Sequence, residues 1–313
     1  MKSKKIYSLT LLFFTLLCLS TIPSAVSITQ INSHVLPLES RITPPTVLQE
    51  RTGILNSYQH NSSTPIHNEY WAVLIGVSHY NSGYLPYSIN EILSFKNTLL
   101  TRGAWNESHI MVLTDDAATN ESIFSAISWL DDQETATDIS VIYYVGHGGK
   151  TATNEYLKLQ NSTISDDDLD KALDELEGRI VLIVDSCYSG GFIEECHDRN
   201  RVIMTACDKN ELAYQYSELE NGFFGYFLNL SLGHITKSAE GSFLLAYPLT
   251  VMYSNMISEK LGGDYTVHPQ FYDGVFGSVK LIHQRSNIFD FVKERLSIFI
   301  SSHTKNQVKI FKI

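Results

Sequence analysis

The chain has 313 residues, enough for one large domain or two small ones, and 34 acidic against 23 basic side chains give a formal net charge of −11. So acidic a protein attracts no polyanion at long range, and no basic stripe interrupts the acidity, so we expect no nucleic-acid partner.

Residues 1–27 have the three-part pattern of a secretory signal peptide. Lys2, Lys4 and Lys5 precede the apolar run IYSLTLLFFTLLCLSTI, and small residues surround Ser27, where we expect cleavage. An uncleaved membrane anchor is the alternative, but the run is short for a span and a small-residue cleavage site follows it. No later stretch is long and apolar enough to cross a bilayer. We therefore expect a secreted or extracytoplasmic protein without stable membrane insertion, and loss of three lysines and no acids brings its charge to −14.

Residues 28–69 are rich in Ser, Thr, Asn and Pro and predict a leader, linker or pro-segment. Order begins at 70, and apolar runs of strand length then alternate with segments of helical periodicity up to 282, followed by a C-terminal extension over 283–313. Uniformly apolar strands that alternate with helices indicate an α/β domain, with a mainly parallel sheet and helices on both faces. The predicted strands are 70–77, 109–114, 139–145, 179–184, 201–206 and 274–282. The predicted helices are 89–103, 119–130, 165–178, 221–233, 243–261 and 289–300.

Two of the predicted strands end in chemically reactive residues. The strand over 139–145 runs into GHGGK, which contains His147, and the strand over 179–184 runs into DSCYSGG, which contains Cys187. In an open parallel sheet, functional groups gather beyond the carboxyl ends of the strands. If these strands are neighbours, both side chains emerge at the same edge.

A cysteine and a histidine at one edge suit acyl transfer. The thiolate attacks a carbonyl carbon and is favoured by a nearby imidazolium, and the histidine then protonates the departing amine. The N–H groups of Gly148 and Cys187 would form an oxyanion hole. Either residue alone could equally be a packing residue, since a cysteine after a core strand is commonly a small buried hydrophobe.

Three cysteines remain after signal removal, which is an odd number for an exported protein. We expect Cys196 to pair with Cys207 and Cys187 to stay reduced. Three buried free thiols are the alternative.

The two motifs, YYVGHGG and IVLIVDSCYSGGF, resemble the histidine and cysteine motifs of the caspase-like cysteine peptidases, a group that includes caspases, metacaspases, legumain and clostripain. The similarity extends over about residues 70–235. It implies a three-layer caspase-like fold and a cysteine endopeptidase that acts on protein or peptide substrates. His147 and Cys187 would form the catalytic dyad, and Gly148 would help to hold the oxyanion.

The resemblance also bears on the residue N-terminal to the cleaved bond, P1. In metacaspases and clostripain the acid two positions before the nucleophile lies in the S1 pocket, and Asp185 is that residue here. Glu91 matches a second pocket acid of metacaspases, and Asp208 is a third candidate or a solvated loop charge. Carboxylates in S1 favour Lys or Arg at P1. Asparagine is the second choice, although Pro86 and Tyr87 replace the Arg-His pair of legumain.

Metacaspases are often calcium-activated, so the resemblance suggests calcium activation for this chain as well. The acidic segment SDDDLDKALDELE lacks the loop of an EF-hand, however, and its acids suit a helix N-terminus. We therefore assign no metal ligand and expect no other cofactor, because no Cys/His set has zinc spacing.

Other classes of function could use a reactive residue after a strand. A serine hydrolase elbow and a cysteine phosphatase loop are excluded, because VDSCYSG lacks Gly-x-Ser-x-Gly and Ile193 stands where the phosphatase needs arginine. A non-catalytic peptide-binding protein and a transpeptidase that uses the same dyad stay open. If P1 is basic, we expect self-cleavage after Arg41, Arg51 or Lys150.

Overall fold

The computed structural model describes residues 68–103, 105–283 and 309–313, so the signal, the leader and the 289–300 helix lie outside the described residues. Within them a six-stranded sheet forms the centre. Its strands are β1 (Tyr70–Gly76), β4 (Ile110–Thr114), β5 (Ile139–Val145), β9 (Arg179–Asp185), β10 (Arg201–Thr205) and β13 (Gln270–Asp273). Their spatial order is β13-β10-β9-β5-β1-β4. All pairs are parallel except β10 with β13, which confirms the mainly parallel sheet.

In the described part of the chain, six α-helices surround this sheet: α1 (Ser88–Gly103), α2 (Asn120–Gln133), α3 (Asp166–Leu173), α4 (Phe192–Cys196), α5 (Phe223–His234) and α6 (Ala239–Leu261). α1, α5 and α6 form one group of contacting helices, and α2, α3 and α4 form another. α1 and α2 both pack on β1. Because successive right-handed crossovers to either side of β1 place their helices on opposite faces, the domain has three layers.

Local sequence explains the helix boundaries. Thr119 caps α2 in a reciprocal capping box with Ser122, and Ser165 caps α3 by accepting from the Asp168 N–H at 3.1 Å. Gly262 ends α6 in the left-handed conformation at φ +70°, which glycine adopts without steric cost.

The predicted strand over 274–282 is wrong. The edge strand is β13, which ends before Gly274, and its antiparallel pairing joins Tyr272 to Ile203. Gly277 then takes φ +94°, a turn conformation, and Lys280 forms a single bridge with Ser238. The alternating apolar residues after Gly274 therefore follow a turn and do not form a strand.

Short strands that the sequence did not predict lie at the edge of the sheet where β5 and β9 end. β2 (His79–Tyr80) pairs with β3 (Gly83–Tyr84), and β6 (Gly148–Lys150) pairs with β7 (Glu155–Lys158), which pairs with β8 (Thr163–Ser165). β11 (Tyr214–Tyr216) lies between β12 (Asn221–Gly222) and β14 (Ile310–Lys312). Residues 309–313 thus contact the domain directly.

No helix among the described residues is long and apolar enough to cross a membrane.

Candidate active site

The ends of β5 and β9 position the two reactive residues. These strands are parallel neighbours in a register that pairs Val145 with Asp185, so His147 and Cys187 both lie two residues beyond an aligned pair. The expectation that the two strands are adjacent is confirmed. Gly148 comes so close to the nucleophile loop that a Cβ built there would overlap the carbonyl oxygen of Cys187 and the Ser186 side chain. The histidine and cysteine segments are therefore in contact, and only glycine fits at 148.

Two tyrosines hold the His147 segment. The His147 N–H donates to the Tyr80 hydroxyl at 2.8 Å, and the Tyr80 ring lies 4.4 Å from the imidazole, centroid to centroid. The Tyr144 hydroxyl lies 2.8 Å from the His147 carbonyl oxygen and 2.6 Å from that of Lys158. The N–H and the carbonyl oxygen of His147 are thus both held by tyrosine hydroxyls, which restrains the backbone from which the imidazole projects. The sequence reasoning missed these tyrosines.

Burial keeps the imidazole neutral. It is half-buried, and desolvation, with the charges of Lys158 and Lys312, lowers the pKa of His147 to about 4. At neutral pH the ring is therefore a base able to accept a proton.

Cys187 is fully buried at 0% exposure. The Ala213 N–H donates to its Sγ at 3.3 Å, and the Ala213 carbonyl oxygen lies 3.7 Å from the same sulfur. Burial raises the pKa of the Cys187 thiol to about 11, against a smaller lowering by the Ala213 N–H and by Lys312. These pKa shifts favour a neutral thiol at Cys187 and a neutral imidazole at His147, in place of the thiolate–imidazolium pair expected from the sequence.

The turn after β9 presents the backbone of Cys187. Tyr188 adopts the left-handed conformation at φ +61°, which is costly for a residue with a side chain, and its N–H donates to the Glu211 carbonyl oxygen at 2.9 Å. The Cys187 N–H donates to the carbonyl oxygen of Ile313 at 3.1 Å. The candidate oxyanion donor is thus already engaged by a carbonyl group.

The structure brings two of the three candidate S1 acids together. Glu91 and Asp185 are each 1% exposed, and both carboxylates lie close to Gly222. The Gly222 N–H donates to Glu91 at 2.8 Å, and the Gly225 N–H donates to Asp185 at 3.0 Å. The Tyr143 hydroxyl also donates to Glu91, at 2.5 Å.

Burial raises the pKa of both acids, and for Glu91 the neighbouring Asp185 carboxylate adds to the increase. Asp185 Oδ1 has no hydrogen-bond partner among the described residues. In this state the pair lies beneath the surface, held by the backbone at the start of α5. Asp208 lies apart from them, in the loop after β10, where its carboxylate accepts from the Asn210 N–H at 3.0 Å.

The predicted disulfide is wrong, because Cys187, Cys196 and Cys207 are all buried free thiols. Cys196 ends α4, and its Sγ lies 3.8 Å from the Asp166 carbonyl oxygen. Cys207 follows β10, and its Sγ lies 3.4 Å from the Ser186 carbonyl oxygen. Because different residues surround the sulfurs of Cys196 and Cys207, the short spacing of these cysteines in the sequence did not predict a disulfide correctly.

The acidic helix α3 uses its carboxylates within the protein. Asp170 and Asp174 each lie 2.5 Å from the guanidinium of Arg201, which is 1% exposed. Asp166 accepts from the Glu155 N–H at 3.1 Å. No group of three or more His, Cys, Asp or Glu side chains within the described ranges could hold a metal ion. These residues do not fit a calcium site, and no step is assigned to one.

Comparison with known proteins places this geometry in context. Residues 71–196 match the family model of the metacaspase, peptidase C14 domain. Metacaspase-1 of Eremothecium gossypii is 28% identical over 146 residues, which cover 39% of this chain and 32% of that protein. Metacaspase-4 of Arabidopsis thaliana is 29% identical over 147 residues, or 41% of this chain and 35% of that protein. The chain thus spans about a third of the length of these curated relatives.

Solved structures share the fold at low identity. Caspase-1 from Spodoptera frugiperda superposes with a TM-score of 0.51 at 11% identity and covers 70% of this chain and 92% of its own. A Geobacter sulfurreducens protein superposes with a TM-score of 0.51 at 17% identity, over 69% of this chain and 97% of its own. The family match over residues 71–196, the metacaspase relatives and the shared fold together support a place for this domain in the caspase-like cysteine peptidase superfamily.

Proposed function

We propose that this protein is a cysteine endopeptidase in which Cys187 is the nucleophile and His147 the general acid and base. The observation that carries the proposal is the placement of both residues two positions beyond the paired ends of β5 and β9. His147 takes the thiol proton as Sγ bonds to the substrate carbonyl carbon, and it returns that proton to the amine as the C–N bond breaks. Water, deprotonated by His147, then hydrolyses the thioester.

The oxyanion formed in each addition step is assigned to the N–H groups of Cys187 and Gly148. A donor aimed at a developing negative charge contributes about 3 kcal/mol to the transition state, and it costs no reorganisation when it is already in place. Support comes from the close approach of Gly148 to the Cys187 backbone.

For the residue at P1 we propose Lys or Arg, with asparagine second. The support is the pair of carboxylates, Glu91 and Asp185, of which Asp185 ends β9 two positions before the nucleophile. Negative charge at low dielectric favours a cationic side chain strongly once that side chain reaches it. In the described state both acids are covered, so binding of such a residue requires the start of α5 to open around Gly222.

A panel of fluorogenic peptides with Arg, Lys, Asn or Asp at P1 tests both proposals. We expect turnover with Arg or Lys that is lost in Cys187→Ala. Turnover that survives in Cys187→Ala would disprove the mechanism, and a preference for Asn or Asp would disprove the assignment of P1. A free amine added to the assay, with ligated product read by mass spectrometry, separates a transpeptidase from a hydrolase.

The second candidate is a non-catalytic peptide-binding protein. The observation that favours it is the neutral, fully buried thiol of Cys187. Peptides that bind wild type and Cys187→Ala equally, with no cleavage of any panel member, would establish this candidate instead.

We further propose that the protein is exported and that the leader is removed by self-cleavage after Arg41 or Arg51. Lys150 is the third predicted site. It lies in β6, and its Nζ donates to the Lys209 carbonyl oxygen at 3.1 Å. Since strand pairing protects a backbone from cleavage, we expect processing at 150 to be slower. Mass spectrometry of termini in wild type and Cys187→Ala tests this, because identical termini would exclude self-cleavage.

A further inference from the structure

The carbonyl group on the proposed oxyanion donor belongs to a segment that lies along β11 as an added strand. β14 pairs antiparallel with β11, and the register joins Tyr214 to Lys312 and Tyr216 to Ile310. The Ile313 N–H donates to the Ala213 carbonyl oxygen at 3.0 Å, and the Ser217 N–H donates to the Lys309 carbonyl oxygen at 3.0 Å. Addition of an extended strand to a sheet edge is a general mode of peptide recognition.

The segment also ends its pairing directly on the nucleophile. Ile313 is 1% exposed, and its carbonyl oxygen accepts the Cys187 N–H at 3.1 Å. A substrate carbonyl poised for attack would need that same N–H. Two carbonyl oxygens cannot occupy one position, so substrate and Ile313 exclude each other.

Ala213 contacts both the Cys187 thiol and the backbone of Ile313. Its N–H and carbonyl oxygen both lie within hydrogen-bond reach of the Cys187 sulfur, and the same carbonyl oxygen accepts from Ile313. The thiol is therefore directed toward the backbone that holds the segment.

Side chains reinforce the backbone contacts. The Phe311 ring packs edge-on against the Tyr87 ring, with centroids 5.9 Å apart. Phe311 also pairs with Gln215, which accepts the Tyr87 N–H at 3.1 Å. The charge of Lys312 is close enough to act on both members of the dyad, and it disfavours the imidazolium form of His147.

We propose that residues 309–313 are an intramolecular peptide ligand of the active-site cleft, bound along β11, and that they hold the site latent until displaced. The regulatory part rests on the proposed peptidase function, whereas occupancy of the cleft does not. Latency here has a defined structural cause: the segment covers the thiol and engages the Cys187 N–H.

Thiol reactivity tests occupancy without any need for turnover. Alkylation of Cys187 by iodoacetamide, followed by mass spectrometry of its peptide, is compared in the full chain and in a chain that lacks 309–313. Two matched point variants accompany them: Phe311→Asp, which removes the Tyr87 contact, and Phe276→Asp, which changes a fully exposed phenylalanine. Circular dichroism melting reports whether each protein is folded.

We expect Cys187 alkylation to rise at least tenfold in the deletion and in folded Phe311→Asp, and to stay unchanged in Phe276→Asp. The free peptide Lys-Ile-Phe-Lys-Ile, added to the deletion protein, should lower the rate of Cys187 alkylation again as the fraction of peptide-bound protein increases. A scrambled peptide should leave that rate unchanged. Equal rates in all folded proteins, or no protection by the peptide, would overturn the proposal.

Turnover of the P1 panel separates this inference from the proposed function. Faster alkylation and higher turnover in the deletion support both. Faster alkylation with no turnover in any protein supports occupancy and contradicts the peptidase function. Equal turnover and equal alkylation in the full chain and the deletion support the peptidase function and overturn latency.

Discussion

The Tyr80 hydroxyl accepts the backbone N–H of His147 at 2.8 Å, and the Tyr80 ring lies beside the imidazole. Tyr80 belongs to β2, in the short hairpin that follows β1, whereas His147 follows β5. The candidate base is therefore positioned by a residue 67 positions away, from a different connection of the sheet.

Replacement of Tyr80 by phenylalanine should lower kcat. The change removes the acceptor of the His147 N–H but keeps the ring, and a hydrogen bond of this kind contributes about 1 kcal/mol, which corresponds to roughly fivefold in kcat. KM should change little, since Tyr80 does not lie in the peptide-binding strand. Tyr84→Phe, at a side chain 55% exposed in the same hairpin, is the control. Equal kcat in Tyr80→Phe and wild type would show that Tyr80 does not position the base.

Gly148→Ala should abolish turnover. Its Cβ would overlap the Cys187 carbonyl oxygen and the Ser186 side chain, so the histidine and nucleophile segments must separate. Because misplacement by about 1 Å costs on the order of a hundredfold in rate, we expect at least that loss in kcat/KM. Gly233→Ala, in helix α5 with more space around it, should be active. A Gly148→Ala enzyme with normal kcat/KM would refute the tight contact.

The charge of Lys312 should affect the pKa values of His147 and Cys187. A cation disfavours the imidazolium and favours the thiolate, so its removal in Lys312→Met should raise the pKa of both His147 and Cys187. NMR of the His147 ring against pH measures the first, and the pH dependence of Cys187 alkylation measures the second. Lys96→Met, in an exposed pair with Glu107, is the control. Unchanged titration of both groups would place Lys312 outside the site.

Alkylation of Cys187 in the full chain should increase steadily with pH toward about 11, without an inflection between pH 6 and 8. The reason is that burial raises the pKa of the Cys187 thiol and lowers that of the His147 imidazole, so that both groups are neutral near pH 7. An inflection near neutral pH would indicate a preformed thiolate–imidazolium pair and contradict this description.

Stability should decrease with pH because of the buried acids. The folded pKa of Asp185 lies above its usual value, at about 6, so its full contribution is present below pH 4 and is lost as pH rises through 6. Asp185→Asn should flatten the fall in unfolding free energy between pH 4.5 and 7.5, measured with urea, whereas Asp208→Asn, in a half-buried loop, should not. An equally steep fall in Asp185→Asn would exclude this carboxyl as the cause.

Sequence patterns predicted most of the strands and helices of the central fold. β5 and β9 are apolar along their length and buried on both faces, so their run length alone predicted them, and β5 was predicted at its observed bounds. The sequence predicted that His147 and Cys187 emerge at one edge if their strands are neighbours, and the pairing of β5 with β9 meets that condition. The predicted helices 119–130 and 165–178 begin at the residues that cap α2 and α3, Thr119 and Ser165.

Local patterns failed where long-range contacts decide the outcome. The alternation after Gly274 is typical of a strand, yet the glycines turn the chain and β13 lies before them. The cysteine count suggested a disulfide, although each sulfur is buried among different neighbours. The thiol and the imidazole were expected to be ionised, whereas burial raises the pKa of Cys187 against the charge of Lys312, and burial with Lys158 and Lys312 lowers the pKa of His147.

The order of residues thus determined the apolar strands, the capped helices and the two chemical groups at the strand ends, because those depend on neighbours within a few positions. Tertiary structure alone decided that residues 309–313 lie on β11, that Glu91 and Asp185 are covered, and that the thiol is neutral. The physical reason is that strand pairing across almost a hundred residues and desolvation both arise only when distant segments exclude water together.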